Sequence, residues 1–149
     1  SSGCKNVRLF FFKYFLSLSD EGWWVREIER EFSLASYQAL CIPPVADTHF
    51  EHRLVNQIGQ ALVRKDPVAL LEYRTVSTTG QWCPNLYVNI EREYDLKIQH
   101  LQRISTQSGK VYFKEPVLNA LHSDIGNLKR GVAKVEMYRM VQMMCDAAV

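Results

Sequence analysis

The 149-residue sequence predicts an α+β fold in which two β-hairpin-plus-helix units form one sheet packed against helices. Alternating apolar residues around turn signals predict the hairpins, at residues 7–34 and 69–98. Apolar residues at 3–4 spacing predict a helix after each hairpin, the second being a long C-terminal helix. The tetrapeptide IERE occurs at both 28–31 and 90–93, which suggests an internal repeat of 7–65 with 69–146.

The first hairpin is predicted from the stretch VRLFFFKYFLSLSDEGWWVREIEREFSL, residues 7–34. Aromatic residues occupy both faces of its first half, and SDEG forms a turn in which Gly22 can take a positive φ. Trp24, Ile28 and Phe32 alternate with glutamates in the return strand, but they also fall at i, i+4 and i+8. A helix is therefore the alternative for the second half of this stretch.

The helix that follows is the clearest element of the sequence. Thr48 and Glu51 have the spacing of a capping box at its start. Its apolar stripe extends to Lys65 and consists of Phe50, Leu54, Val55, Ile58 and Leu62. The stretch CIPPVAD is a proline-stiffened connection before it.

The second unit follows the same plan, with a return strand at 86–98, for which a helix over 87–104 is the alternative. Lys110 to Phe113 is predicted to add a short strand after a turn at Ser108-Gly109. Pro116 suits the first turn of the long helix, whose seam continues apolar to Met144. That seam consists of Leu118, Leu121, Ile125, Leu128, Val132 and Val135. Gly126 and Gly131 weaken this helix by roughly 1 kcal/mol each.

The composition is that of a soluble globular domain, with 47% hydrophobic and 23% charged residues. We interpret 1–149 as a single domain, with residues 1–3 as a tag remnant. The net charge of +2 is too small to require a nucleic-acid or acidic membrane partner. No window approaches the roughly 18 apolar residues of a membrane span, so none is expected.

Four cysteines leave two alternatives for the compartment. Without an Asn-x-Ser/Thr sequon or a cleavable signal, reduced thiols in an intracellular protein, cytoplasmic or nuclear, are favoured. The alternative is a secreted helical factor closed by two disulfides, Cys4 with Cys145 and Cys41 with Cys83.

No motif predicts catalysis, a metal or a cofactor. Cys41, His49, His52 and Cys83 have ligand types that suit zinc, but only the two histidines are closely spaced. Cys83 has no base at a spacing that predicts a Cys–His nucleophile, so no catalytic residue is assigned. The segment QSGK at 107–110 lacks the first glycine and the Ser/Thr of a phosphate loop.

Apolar surface in excess of one core predicts a non-enzymatic interaction or self-assembly module of a larger intracellular or viral protein. The partner is a second copy, giving a homodimer or larger oligomer, or another protein. The residues expected to bind it are Phe11, Phe15, Trp23, Trp24, Leu121, Leu128, Val135, Met140 and Met144. A nucleic-acid-binding module is the first alternative, because basic residues are scattered through the second half near aromatic ones.

Overall fold

A computed structural model describes residues 20–31, 33–66, 68–104 and 109–143. In that part of the chain it confirms the α+β class, with five α-helices and one four-stranded sheet. The helices are α1 (Glu21–Glu31), α2 (Phe50–Leu62), α3 (Tyr94–Gln102), α4 (Glu115–Leu121) and α5 (Ile125–Leu128). The strands are β1 (Ala39–Ile42), β2 (Ala69–Tyr73), β3 (Leu86–Asn89) and β4 (Val135–Gln142). None of the helices described is long and apolar enough to cross a membrane.

The strands form a mixed sheet in the order β1-β2-β4-β3. β1 and β2 are parallel and are connected by α2, whereas β4 runs antiparallel to both of its neighbours. β4 is therefore an interior strand, and β1 and β3 are the two edges. The antiparallel registers place Met140 opposite Leu71, and Tyr138 between Tyr73 and Leu86.

α1 and α2 cover one face of the sheet, and the larger hydrophobic core lies beneath them. Leu54 of α2 and Leu70 of β2 are 1% and 2% exposed. Trp24 and Val25 bring α1 into the same cluster of buried side chains. Helix α2 lies close to β1 at Gly59, where an added Cβ atom would be 2.5 Å from Cγ2 of Ile42.

The prediction of a first hairpin was wrong in its second half, since 21–31 form helix α1. Its first half, residues 7–19, lies outside the described residues. Tertiary packing decided between helix and strand, because Trp24 and Ile28, at i and i+4 of the helix, both pack against the core. The helix also contains four glutamates and two arginines, which have good helix propensity.

The second hairpin was also wrong, because β4 lies between β2 and β3 and separates them. β3 ends at Asn89, whose side-chain oxygen accepts a hydrogen bond from the backbone N–H of Glu91 at 2.9 Å. Such a local bond favours a turn over continued extended backbone. The first IERE segment is helical and the second begins in this turn, so the two are not structurally equivalent.

The long C-terminal helix is not confirmed. Pro116 lies in the first turn of α4, as predicted, but α4 ends at Leu121. The side chain of Asp124 caps the short α5, and Gly131 then takes a φ of +79°, which favours glycine. The predicted strand at 110–113 is a 3₁₀ turn. Helix α2 is confirmed without its capping box, since Thr48 Oγ1 donates to the carbonyl of Ser77 instead.

Candidate functional site

A buried carboxylate, Glu72, anchors the loop after β1 to the rest of the fold. Its Oε1 accepts from Asn56 Nδ2 at 2.9 Å and from the N–H of Val45 at 3.3 Å. Its Oε2 accepts from Trp82 Nε1 at 3.1 Å. Within the described residues, no buried side-chain nitrogen or oxygen lacks a hydrogen-bond partner. This network is fully bonded, and we interpret it as structural.

Asp47 organises a second polar cluster beyond the carboxyl ends of β1 and β2. It accepts hydrogen bonds from the N–H of His49 at 2.8 Å and from Thr75 Oγ1 at 2.5 Å. Its Oδ2 lies 3.1 Å from Nδ1 of His52. Burial raises the pKa of Asp47, but the hydrogen bonds, including one from Ser77, outweigh it and bring the pKa to about 2.

The Asp47 cluster lacks the geometry of a hydrolytic triad. Asp47 and Ser77 Oγ both approach the same ring nitrogen of His52, at 3.1 Å and 3.3 Å. A Ser–His–Asp triad needs the carboxylate and the hydroxyl on opposite nitrogens, so that the imidazole can take the hydroxyl proton. Among the described residues no three metal-ligating side chains come together, and the set Cys41, His49, His52 and Cys83 is not assembled.

A cleft of about 170 Å³ lies at the same end of the sheet, and Thr75, which bonds Asp47, is one of the residues that line it. Side chains of α3, α4, β4 and the 3₁₀ turn line it. At its polar end Lys97 Nζ lies 2.7 Å from Nε2 of His122 and also donates to Glu136. Burial lowers the pKa of His122 and the positive charge of Lys97 acts in the same direction, against the carbonyl of Leu118 and Glu136.

The sheet face opposite α1 and α2 carries seven uncharged side chains, which together we call the open face; Glu136, opposite Val88 in the register, borders them on the same side of the sheet. Alternation along each strand and the cross-strand registers place its side chains together. Its members are Cys41, Leu71, Tyr73, Leu86, Val88, Tyr138 and Met140. None of them belongs to the clusters of buried side chains that the described residues form. Tyr73 is 37% exposed and Val88 is 43% exposed.

The thiol of Cys41 lies close enough to the hydroxyl groups of Tyr73 and Tyr138 on the open face to affect their pKa values. Burial raises the pKa of Tyr73 and of Tyr138, and the neighbouring Cys41 thiol acts in the same direction on both. Burial also raises the pKa of Cys41. Cys41 and Cys83 are both free, so the Cys41–Cys83 disulfide of the secreted alternative is not formed. Cys4 and Cys145 lie outside the described residues.

The residues predicted to bind a partner do not share one surface. Trp24 and Val135 are 5% and 2% exposed and belong to the interior. Trp23 packs partly buried against the core, and Leu128 of α5 is 49% exposed. Leu121 lines the cleft and Met140 lies on the open face. Phe11, Phe15 and Met144 fall outside the described residues.

Of the predicted partner-binding residues that the structure describes, only Met140 belongs to the open face. Sequence reasoning missed the other residues of this face. The signal that could have found them is the period-2 alternation of side chains along β2 (ALLEY) and β4 (VEMYRMVQ). No known family model and no curated protein matches the sequence.

Proposed function

We propose that this chain is a non-enzymatic interaction module that self-associates, with the open face of one copy packed against that of another. The observation that carries the proposal is the continuity of this face across the sheet. Cys41 neighbours Leu71 on one side, and Met140 neighbours Leu71 on the other. Tyr73, Tyr138 and Leu86 continue the same surface to the opposite edge strand.

A second copy is the occupant that the charges favour. The seven open-face side chains are all uncharged at neutral pH, so two copies meet without like-charge repulsion. The nearest carboxylate on that face, Glu136, is paired with Lys97. Sheets pack face to face about 10 Å apart with interdigitating side chains, and a two-fold axis makes one such surface complementary to itself.

The expected affinity is modest. Complete burial of a leucine or methionine side chain contributes about 1.5–3 kcal/mol. The open-face side chains are mostly half-buried already, so each contributes less than that amount. Association also costs at least about 4 kcal/mol of lost translational and rotational freedom. We therefore expect a dimer with a dissociation constant in the micromolar range.

Analytical ultracentrifugation of wild type and two variants tests this function. Met140→Glu places a charge in the centre of the open face and is expected to give a monomer. Leu128→Glu is the matched control, since Leu128 is an exposed apolar residue on α5. We expect it to remain dimeric. Circular dichroism and thermal unfolding of both variants establish that the fold is retained.

Two results contradict the proposal: a wild-type monomer at high micromolar concentration, or a Met140→Glu variant that remains dimeric. If Met140→Glu unfolds, Tyr73→Asp repeats the test at an exposed position. A wild-type monomer that becomes aggregation-prone when the apolar segment 7–18 is deleted identifies that segment as the cover of the open face.

A further inference from the structure

The cleft beside α3 and α4 has the dimensions of a site for a single ring. Its volume is about 170 Å³. An apolar protein cavity of roughly 150 Å³ accommodates benzene. A ligand with one six-membered ring therefore fits the cleft.

The walls of the cleft are apolar and partly aromatic. Leu101 of α3 and Leu118 of α4 line it together with Met137 of β4. Tyr112 and Phe113 add two rings whose centroids lie 5.3 Å apart at 54° to each other. Aromatic side chains in the lining favour an aromatic ligand, because ring pairs gain from offset-stacked or edge-to-face contact.

The polar end of the cleft retains a hydrogen-bond donor. An ammonium group has three N–H donors. Lys97 gives one to His122 and one to Glu136, and the described residues supply no partner for the third. Nδ1 of His122 lies 2.7 Å from the carbonyl of Leu118, so Nδ1 carries the proton and Nε2 accepts from Lys97.

The charges that line the cleft favour an anion. Lys97 and Arg74 are cationic and Glu136 is the carboxylate among the lining residues. His122 is held neutral by burial and by its contact with Lys97. The lining thus carries one net positive charge, which an anionic ligand group can neutralise.

We propose that this cleft binds a small aromatic carboxylic acid, with its carboxylate at Lys97 and Arg74 and its ring against Tyr112, Phe113 and the leucines. The donor left on Lys97 bonds the carboxylate, and the volume accommodates one ring. The cleft and the open face meet at Glu136, which lines the cleft and lies opposite Val88 in the sheet.

Titrations followed by methyl NMR at Met137 and Leu118 test the site with three probes. Benzoate has both the ring and the charge, benzamide has the ring alone, and acetate has the charge alone. We expect saturable shifts with benzoate and an affinity at least about tenfold weaker for each of the others. Equal affinities for benzoate and benzamide, or no saturation with benzoate in the millimolar range, overturn the proposal.

Variants assign the binding to named residues. Lys97→Met is expected to reduce benzoate affinity to that of benzamide, whereas Lys129→Gln, an exposed lysine outside the cleft, leaves it unchanged. Lys97 also bonds His122 and Glu136, so loss of fold in that variant is a separate outcome. In that case Arg74→Gln tests the charge and Leu101→Trp tests the volume. Retained benzoate affinity in both overturns the assignment.

Discussion

Asn56 of α2 and Glu72 of β2 meet in the interior, with Asn56 Nδ2 donating to Glu72 Oε1 at 2.9 Å. Their exposed fractions are 0% and 2%. Asn56 Nδ2 also donates to the carbonyl of Pro43 at 2.8 Å. The side-chain amide of Asn56 thus links α2 to β2 and to the loop after β1.

Asn56→Ala is expected to destabilise the protein by roughly 2–3 kcal/mol, because it removes one donor of a buried carboxylate and leaves the Pro43 carbonyl unpaired. Gln57→Ala is the control: it removes an exposed side chain from the next position of the same helix and should cost less than about 0.5 kcal/mol. Urea unfolding measures the free energy of unfolding of both variants, provided that its dependence on urea concentration is the same as in wild type. Equal losses in the two variants would contradict this account of the network.

The close approach of α2 to β1 gives opposite signs for two substitutions of the same type. Gly59→Ala places a methyl group 2.5 Å from Ile42 Cγ2, and overpacking costs about 1–3 kcal/mol. Among the described residues, a methyl group at Gly22 in α1 meets only the end of the Arg26 side chain at 3.4 Å, so Gly22→Ala should stabilise by about 0.5–1 kcal/mol. Thermal unfolding separates them, and a stabilising Gly59→Ala would show that α2 shifts freely.

Stability is expected to depend on Asp47 in acid. Its folded pKa of about 2 lies below its ordinary value of 3.8, so its contribution is complete above about pH 3.8 and is lost as the pH falls through 2. A difference of nearly two pKa units corresponds to about 2 kcal/mol. Urea unfolding between about pH 5 and pH 2 should show a shallower dependence in Asp47→Asn.

A second variant tests the cause of that dependence. Thr75→Val removes a hydrogen bond that lowers the pKa of Asp47, so it should reduce the acid dependence without abolishing it. If Thr75→Val and wild type lose stability in parallel, hydrogen bonding at Asp47 is not the origin of the effect.

Cys41 reports on coverage of the open face. Burial raises its pKa, so iodoacetamide should alkylate it more slowly in the folded protein than in urea, where more thiolate is present. If two open faces pack together, its rate should fall further as protein concentration rises. Cys83 is exposed, lies outside the four strands and serves as the internal control. A concentration-independent rate at Cys41 in a dimeric sample would place the interface elsewhere.

Elements with one strong local period were predictable, and those decided by distant contacts were not. The apolar stripe of α2 fits a helix and no other element. The predicted ends of this helix differ from the observed ones by only a few residues. In α1 the periods of helix and strand coincide, and contact with α2 decides between them. The seam from Leu118 to Val135 keeps a helical spacing by coincidence across two breaks, at Asp124 and Gly131.

The candidate sites were harder to predict for a related reason. Asp47 and Glu72 look like ordinary surface carboxylates, because nothing local to them shows that Thr75 and Trp82 will supply their hydrogen bonds. Lys97 and Glu136 are nearly forty residues apart in sequence. The open face depends on strand order, and order requires knowing that β4 inserts between β2 and β3.

The interior position of β4 also governs how the chain can fold. β1 and β2 can pair as soon as α2 joins them, but β2 and β3 each need a strand that follows them by some fifty to seventy residues. Pairing over such separations closes large loops and slows folding. A growing polypeptide that has reached only α4 presents the outer edge of β2 without its partner, where another chain can add. Synthesis of 135–142 is therefore the step that removes this hazard.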